Sequence, residues 1–402
     1  MTVRMEGNMV EIFEVGPCEN AYQMGFLIGQ RFSNLIRSRL ARDLILQNQL
    51  LPFAGTPESR SFIKALLENN QNKFPGYWDE LLGTAAGSGV PVIEIILINF
   101  RKEILPFISK TEISSNVDTA DDCSDVLVVN ESMAIAAHNE DANVSLLGHT
   151  YLIKCKLSNG LSFMAYTYAG ELPSCAFGFN SHGLVNINEN MTVFAAFTLN
   201  SVPPVEDEIV AAGIGRNFIS RDLLEATGIN DALTRICSSE VSVGHSYNLI
   251  DIKTRQILNV ETASRNRVSV HNIGSTPFFH ANMYLHLQVL QVQDENSISR
   301  QKRAIELPKG SKEDFLSLLG DTGHPKYPIY MIGNMTDNFN SLSSILSCLL
   351  YKTLFSGPTL YTLCTAVINL DEQTLTIIEG NPKKGKVSHA FSMSSEDFKI
   401  VQ

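Results

Sequence analysis

The sequence predicts an α+β fold in which a helical N-terminal leader precedes a β-rich segment built around an antiparallel sheet. In the first third of the chain, apolar residues recur at helical spacing. After residue 123 the pattern changes to short β-rich runs. The joints between these runs are short and rich in Gly, Asn and Asp, which favours antiparallel pairing over crossover connections.

The leader is predicted to hold four helical segments: Tyr22–Leu51, Phe62–Asn70, Trp78–Ala86 and Val92–Phe107. The first of them places apolar residues on one face with arginines between them, and Pro52 ends it.

The β-rich part contains six predicted strands and a C-terminal hairpin: Tyr151–Leu157, Leu161–Ala169, Ala176–Phe179, Tyr247–Asp251, Ile257–Glu261, Val268–His271, and the pair Thr365–Asp371 and Leu375–Glu379. Two helical patterns, Arg216–Ala226 and Ser299–Leu307, interrupt them. Helices followed by strands with inserted helices indicate layered packing.

Composition excludes several classes of function. The chain has 402 residues, 44% of them hydrophobic, which is ample for a buried core. A net charge of −11 without a basic block argues against nucleic acid or an anionic membrane as partner. No apolar run reaches the roughly 18 residues that span a bilayer, and the N-terminus lacks an apolar signal core, so we expect a cytoplasmic protein.

The seven cysteines are an odd, scattered set without a CxxC pair or a Cys/His cluster at zinc spacing. This pattern argues against a disulfide framework and indicates a reducing compartment. We expect no metal and no organic cofactor.

Cys123 is the strongest candidate for chemistry. It precedes the strand-like run Val126–Val129, and a second run, Met133–Ala137, leads into His138 and Asp141. A predicted hairpin of these two runs would bring a thiol near a carboxylate, an arrangement that nucleophilic catalysis can use. A lone cysteine is more often a half-buried packing residue, so the assignment needs the support of the remaining chain.

That support comes from a series of short motifs in a fixed order over some 260 residues. They are Asp122-Cys123-Ser124-Asp125, His138-Asn139-Glu140-Asp141, Gly178-Phe179-Asn180-Ser181-His182-Gly183-Leu184, Arg221-Asp222-Leu223-Leu224-Glu225-Ala226, Ser246-Tyr247-Asn248-Leu249-Ile250-Asp251, His280-Ala281-Asn282-Met283, Ser297-Ile298-Ser299-Arg300 and Glu379-Gly380-Asn381-Pro382. In this order the chain resembles the acyl-CoA:6-aminopenicillanic acid acyltransferase / β-alanyl-dopamine hydrolase family of N-terminal-nucleophile (Ntn) cysteine hydrolases.

The resemblance implies a four-layer αββα sandwich with the nucleophile at the first residue of a central strand. It also implies self-cleavage at the Asp122–Cys123 bond. The chain would then consist of a helical segment, 1–122, and a catalytic segment, 123–402, held together as an α/β heterodimer of its own fragments.

The resemblance further assigns roles to three residues. Cys123 would be the nucleophile, and the new α-amino group would take the thiol proton near neutral pH. Asp141 would hold the ammonium group, against the alternative of a turn aspartate. Asn282 would donate to the oxyanion, against the alternative of an ordinary loop asparagine.

Weaker matches concern residues that are as readily explained by structure as by chemistry. Asn180 is expected to shape the wall of the site, and the arginines to lie on salt-bridged helix faces. Three strand tyrosines are candidates for a substrate pocket, with ordinary packing as the alternative. These arginines and tyrosines are Arg221, Arg300, Tyr151, Tyr166 and Tyr168.

The chain departs from the family pattern in three places. Asp122 replaces the usual glycine before the nucleophile, and glycine accepts a strained backbone more readily. Two stretches, 185–195 and 332–356, interrupt the expected order and are predicted to be inserted loops outside the sandwich.

The predicted function is hydrolysis of small N-acyl amides through a thioester on Cys123. Three alternatives stay open: N-acyl transfer from acyl-CoA through the same intermediate, an uncut thiol hydrolase with His138 as base, and an inactive relative that only binds. The expected partner is a small-molecule amide or acyl donor, with no nucleic acid and no membrane.

Overall fold

The computed structural model describes residues 10–108, 122–173, 175–183, 192–333, 360–393, 398 and 400. Among them, the helices are α1 (Ala21–Arg31), α2 (Ser33–Arg42), α3 (Leu51–Ala54), α4 (Arg60–Lys73), α5 (Pro75–Ser88), α6 (Val92–Asn99), α7 (Arg101–Ile104), α8 (Arg216–Leu223), α9 (Ile229–Cys237), α10 (Glu295–Glu306) and α11 (Lys312–Leu319). Most of them precede residue 123, as the sequence predicts.

The strands are β1 (Glu11–Val15), β2 (Asp122–Val129), β3 (Ala134–Asn143), β4 (Thr150–Lys156), β5 (Ser162–Tyr168), β6 (Phe177–Gly183), β7 (Thr192–Ser201), β8 (His245–Asp251), β9 (Gln256–Ala263), β10 (Arg267–Asn272), β11 (Phe278–His280), β12 (Leu360–Asn369), β13 (Thr374–Glu379) and β14 (Lys386–Ser392). They form two sheets. The eight-stranded sheet has the order β1-β4-β5-β6-β7-β8-β9-β10, and the six-stranded sheet has the order β11-β2-β3-β12-β13-β14.

Pairing is antiparallel throughout both sheets except between β1 and β4, which run parallel. The antiparallel prediction therefore holds for every pairing among strands β2 to β14, and the one parallel pair involves the leader strand β1. A mixed α+β architecture is confirmed.

The three largest clusters of buried apolar side chains among the described residues fill the spaces between sheets and helices. The first joins the leader helices and α8 to the eight-stranded sheet through residues such as Ile36, Leu97, Phe218 and Phe163. The second contains residues from both sheets, among them Leu127, Ala136, Leu152, Phe177 and Ile250. The third joins the six-stranded sheet to α10 and α11 through Val126, Val128, Ala304, Phe315 and Leu318.

The first leader helix is shorter than predicted. The single helix expected over 22–51 is divided at Phe32 and again at Asp43, where the backbone becomes extended. The Asp43 carboxylate accepts the backbone N–H of Leu46 at 2.9 Å, which is how an N-cap starts a new turn. A π-helical turn, Leu46–Leu50, then leads into α3.

The two predicted inserts fall largely outside the described residues, which omit 184–191 and 334–359. Two parts of them are described. β7 begins at Thr192 and pairs with β6 from that residue, so 192–195 belong to the sheet rather than to a loop. Ile332 forms an isolated bridge with Tyr361.

In the part of the chain that the structure describes, no helix combines the length and apolar character needed to cross a membrane.

Candidate active site

The hairpin of β2 and β3 places Asp122 and the candidate nucleophile, Cys123, opposite two carboxylates. β2 begins at Asp122, so Cys123 is the second residue of the strand. In the antiparallel register Asp122 lies opposite Asp141, and Cys123 lies opposite Glu140. The predicted hairpin is therefore formed.

Alternation along β2 sends its side chains to opposite faces of the sheet. Leu127 belongs to the cluster between the two sheets, and Val126 belongs to the cluster beside α10 and α11. Cys123 shares the parity of Leu127, so its thiol points toward the eight-stranded sheet. Asp122 has the opposite parity and points toward α10.

A cleft of about 540 Å³, including space open to solvent, reaches Cys123. It brings together residues of the leader and of the β-rich segment. Its charged and polar lining is Arg39, Asn99, Arg101, Lys102, Glu103, Glu140, Tyr168, Glu171, Ser201, Arg216, Asn217 and His245. The cleft gives the thiol, which is otherwise only 4% exposed, a route to small molecules.

The Cys123 thiol begins a chain of buried polar side chains. Its Sγ lies 3.4 Å from Glu140 Oε2, which lies 2.9 Å from His138 Nε2. The other ring nitrogen of His138 lies 2.9 Å from Asp125 Oδ1. These contacts connect the thiol to the imidazole through a carboxylate, and the ligand atoms of Cys123, His138 and Glu140 could hold a metal ion.

Burial and the neighbouring charges disfavour the thiolate form of Cys123. Burial, followed by the charges of Glu140 and Asp141, raises the pKa of Cys123 well above its ordinary value. Burial opposes a charge on His138, but Asp125 and Glu140 outweigh it and raise the pKa of the imidazole to about 10. At neutral pH the site therefore holds a neutral thiol beside a cationic histidine.

The backbone of Cys123 is held on both sides of its α-carbon. Its N–H donates to Asn282 Oδ1 at 2.8 Å, and its carbonyl accepts from Arg300 Nη1 at 2.5 Å. Arg300 also donates to Asn282 Oδ1 at 2.9 Å and to the Ser124 hydroxyl at 2.9 Å. One guanidinium thus contacts both Cys123 and Asn282.

The side chain of Asn282 lies beside Cys123, as the resemblance implies. Its amide does not have the orientation expected of an oxyanion donor. Its Nδ2 donates to the Ser201 carbonyl at 2.9 Å, and its oxygen faces the Cys123 nitrogen. The amide oxygen of Asn282 therefore acts as an acceptor for the Cys123 backbone. Its role as an oxyanion donor stays a prediction.

Asp141 is buried beside the Asp122–Cys123 peptide bond, and its two carboxylate oxygens differ in their hydrogen bonding. Its Oδ1 accepts from the Thr362 hydroxyl at 2.5 Å, while Oδ2 has no hydrogen-bond partner among the residues that the structure describes. Burial raises the pKa of Asp141 to about 7, although Arg300 and Thr362 act in the opposite direction. Asp122 contacts α10 instead, where Asn296 donates to it at 2.5 Å.

The weaker sequence candidates divide between the site and the core. Tyr168 lines the cleft and donates to Glu140. Tyr151 and Tyr166 are buried in core clusters. Asn180 donates to two backbone carbonyls at the end of α8, at 3.0 and 2.7 Å, and Arg221 pairs with Glu80 away from the cleft.

Glu140 received no role from sequence reasoning, although it stands in a quoted motif. The sequence does contain a signal that places Glu140 near Cys123. Residues two apart on a strand share a face, so a predicted hairpin that places His138 near Cys123 also places Glu140 there.

Comparison with known proteins defines the class. The model of the acyl-coenzyme A:6-aminopenicillanic acid acyl-transferase family matches residues 128–384, and the chain belongs to this family. The resemblance seen in the sequence is thereby confirmed. The match begins five residues after Cys123.

The chain is also similar to a protein whose activity is named. The chain is 26% identical over 390 residues, 90% of its length, to the beta-alanyl-dopamine/carcinine hydrolase of Drosophila melanogaster, of which the match covers 91%. A hydrolase is thus similar to this chain along nearly its whole length.

Proposed function

We propose that this protein is an Ntn cysteine hydrolase of small N-acyl amides, activated by cleavage of its own Asp122–Cys123 bond. The observation that carries the proposal is the arrangement around Cys123. Its thiol meets a cleft, while Asn282 and Arg300 hold the backbone on both sides of its α-carbon.

Self-cleavage would proceed by an acyl shift from nitrogen to sulfur. The Sγ of Cys123 attacks the carbonyl carbon of Asp122, the C–N bond breaks, and the nitrogen leaves with a proton as the α-amine. Water then hydrolyses the thioester, which frees the thiol and leaves a carboxylate on Asp122. Arg300, 3.6 Å from an Asp122 carboxylate oxygen, supports this step by holding both residues at the junction.

The mature site would use the new α-amine as its base, since such a group titrates near pH 7.7–8.0. Asn282 Oδ1, which accepts the Cys123 N–H, could accept from the amine in the same position. The unused Oδ2 of Asp141 is available to the ammonium form. The amine takes the thiol proton, the thiolate attacks the amide, and the leaving amine receives that proton before water releases the acyl group.

We further propose a four-layer αββα sandwich, with residues 1–122 and 123–402 forming a heterodimer after cleavage. The three core clusters support this arrangement because they lie in turn between helices and sheet, between the two sheets, and between sheet and helices. The first cluster would keep the leader attached once the chain is cut.

Acyl transfer is the second candidate function. The cleft brings together four basic residues, Arg39, Arg101, Lys102 and Arg216. The sequence did not predict this group, which could bind the phosphates of an acyl-CoA donor. Arg39 is already paired with Glu171 and Arg101 with Asp43, so hydrolysis stays the preferred function.

The deciding experiment is the intact mass of the purified wild type beside Cys123→Ala, with N-terminal sequencing of fragments. Cys175→Ala is the matched control, because Cys175 lines the same cleft. We expect two pieces in the wild type and in the control, one beginning at Cys123, and a single chain in Cys123→Ala. An uncut wild type that still hydrolyses amides would support the His138-based thiol hydrolase instead.

Substrate class is tested on the processed protein by release of primary amines from N-acyl amines, with β-alanyl amides first because of the named relative. Transfer from acyl-CoA to an amine without hydrolysis would favour the acyltransferase. If the protein does neither and Cys123 alkylates no faster than Cys237, the inactive binding relative remains.

A further inference from the structure

Cys123, His138 and Glu140 form a donor set that the proposed catalytic cycle does not use in full. All three are buried, and their Sγ, ring nitrogen and carboxylate oxygen lie within 4.8 Å of one another. The Sγ–Oε2 distance is 3.4 Å and the Nε2–Oε2 distance is 2.9 Å. Ligand atoms about 2.0–2.3 Å from a tetrahedral zinc ion stand at about 3.3–3.5 Å from one another, so small shifts would accommodate the ion.

The surroundings orient these three side chains as they are oriented in zinc proteins. A zinc-bound histidine normally donates its second N–H to a carboxylate, and His138 Nδ1 lies 2.9 Å from Asp125 Oδ1. Asp125 is itself fixed by the Thr198 hydroxyl at 3.0 Å. On the other side, the Tyr168 hydroxyl donates to Oε1 of Glu140 and leaves Oε2 facing the thiol and the imidazole.

The position of the set completes the argument. Cys123 and Glu140 line the cleft, so an ion can enter from solvent and a water molecule can take the fourth position. Thiolate, imidazole and carboxylate are together the ligands that zinc prefers, whereas calcium and magnesium require oxygen ligands alone.

We propose that the Cys123, His138 and Glu140 side chains bind one Zn²⁺ ion, which holds the candidate nucleophile in an unreactive state until the metal is withdrawn. A thiolate that shares an electron pair with zinc is a weaker nucleophile toward a carbonyl carbon than a free thiolate. The site is present in the uncut chain, so the inference does not depend on cleavage or on amide hydrolysis.

Binding is tested by calorimetric titration of EDTA-dialysed full-length protein with ZnCl₂. We expect one tight site per chain, weakened at least tenfold in Cys123→Ser and in His138→Gln. Cys175→Ser and Cys237→Ser are the controls: Cys175 lines the same cleft and Cys237 is exposed, and neither belongs to the set. Loss of the tight site in either control, or its persistence in Cys123→Ser, would overturn the proposal.

A second measurement keeps the test valid if His138→Gln fails to fold, because it needs only the wild type and Cys123→Ser. CoCl₂ should produce a thiolate-to-cobalt absorption band in the wild type and none in Cys123→Ser. ZnCl₂ should slow iodoacetamide labelling of Cys123 at least tenfold, and EDTA should restore the rate. Unchanged labelling in saturating ZnCl₂ would refute the silencing role whether or not the protein hydrolyses amides.

Discussion

Arg221 Nε lies 3.0 Å from Glu80 Oε2, and both side chains are 1% exposed. This ion pair joins α8, in the β-rich segment, to α5, in the leader. The guanidinium also lies over the rings of Tyr77 and Phe163, with its carbon 4.6 and 4.8 Å from the ring centroids. The pair therefore fastens together the two pieces that cleavage before Cys123 would separate.

Glu80→Gln is expected to lower the free energy of unfolding by about 3 kcal/mol, because it leaves a buried guanidinium without its buried counter-charge. Urea unfolding at about pH 8 is the measurement. Burial raises the pKa of Glu80 to about 7, so the carboxylate of the wild type is ionised there. Glu225→Gln is the matched control: Glu225 pairs with the same Arg221 but is 27% exposed, and its loss should cost about 0.5 kcal/mol. Equal costs for the two variants would contradict the structural argument.

Arg300→Lys tests whether one guanidinium positions the nucleophile. A lysine cannot reproduce the fork that reaches the Cys123 carbonyl, Ser124 and Asn282 at once. We expect cleavage and amide hydrolysis to fall on the order of 10²-fold, the usual consequence of a displacement of about 1 Å.

The control for this variant is Arg303→Lys, on the same helix. Arg303 is 30% exposed and pairs with Asp321 and Glu306 outside the site, so its replacement should leave both rates unchanged. Full activity of Arg300→Lys with an unaltered melting temperature would show that Arg300 has no positioning role.

The packing of α1 against α5 makes a third prediction. A Cβ at Gly83 would lie 2.1 Å from the Tyr22 carbonyl oxygen, so Gly83→Ala forces the two helix backbones apart. We expect a loss of about 3 kcal/mol, at the upper end for overpacking. Gly76 lies on the same helix, and no atom of the described residues comes within 4 Å of a Cβ added there, so Gly76→Ala should be neutral or stabilise by about 0.5–1 kcal/mol. Thermal unfolding of both variants that gave the same shift would refute this account.

Local sequence determined the parts of the fold that depend on near neighbours. The β2–β3 hairpin and the C-terminal hairpin follow from paired apolar runs joined by a short turn, and the length of the turn sets the register between Cys123 and Glu140. Two helices, α9 and α11, were not predicted although their sequences carry signals of a helix start. α11 begins after Ser311, whose hydroxyl accepts the Asp314 N–H at 3.1 Å. α9 has Asp231 in its first turn.

Other features depend on segments too distant to be read from one sequence. β1 is an edge strand whose parallel partner β4 lies more than 130 residues away. Asn282 and Arg300 reach Cys123 across 159 and 177 residues. The resemblance identified Asn282 as a candidate. The orientation of its amide and the contacts of Arg300 with Cys123, Ser124 and Asn282 could be seen only in the folded structure.

Glu103 provides a prediction of pH dependence. It is 1% exposed at the cleft. Its Oε1 accepts the backbone N–H of Arg216 at 2.9 Å, while Oε2 has no hydrogen-bond partner in the described part of the chain. Burial raises the pKa of Glu103, against the opposing charges of Arg216 and Lys102. The folded state therefore favours the protonated carboxyl. Its stabilising contribution is fully present below the unfolded pKa of about 4.3 and is lost as the pH rises through the folded value.

Glu103→Gln keeps the acceptor for Arg216 and removes the titration. Near pH 4 its melting temperature should match the wild type, and at about pH 8 it should be higher, because the wild type then carries a buried carboxylate with an unsatisfied oxygen. Glu131→Gln, on the exposed β2–β3 turn, is the control and should follow the wild type at both values. A Glu103→Gln variant that is less stable than the wild type at pH 8 would mean that Arg216 and Lys102 outweigh burial, with the carboxylate stabilising the folded cleft in its ionised form.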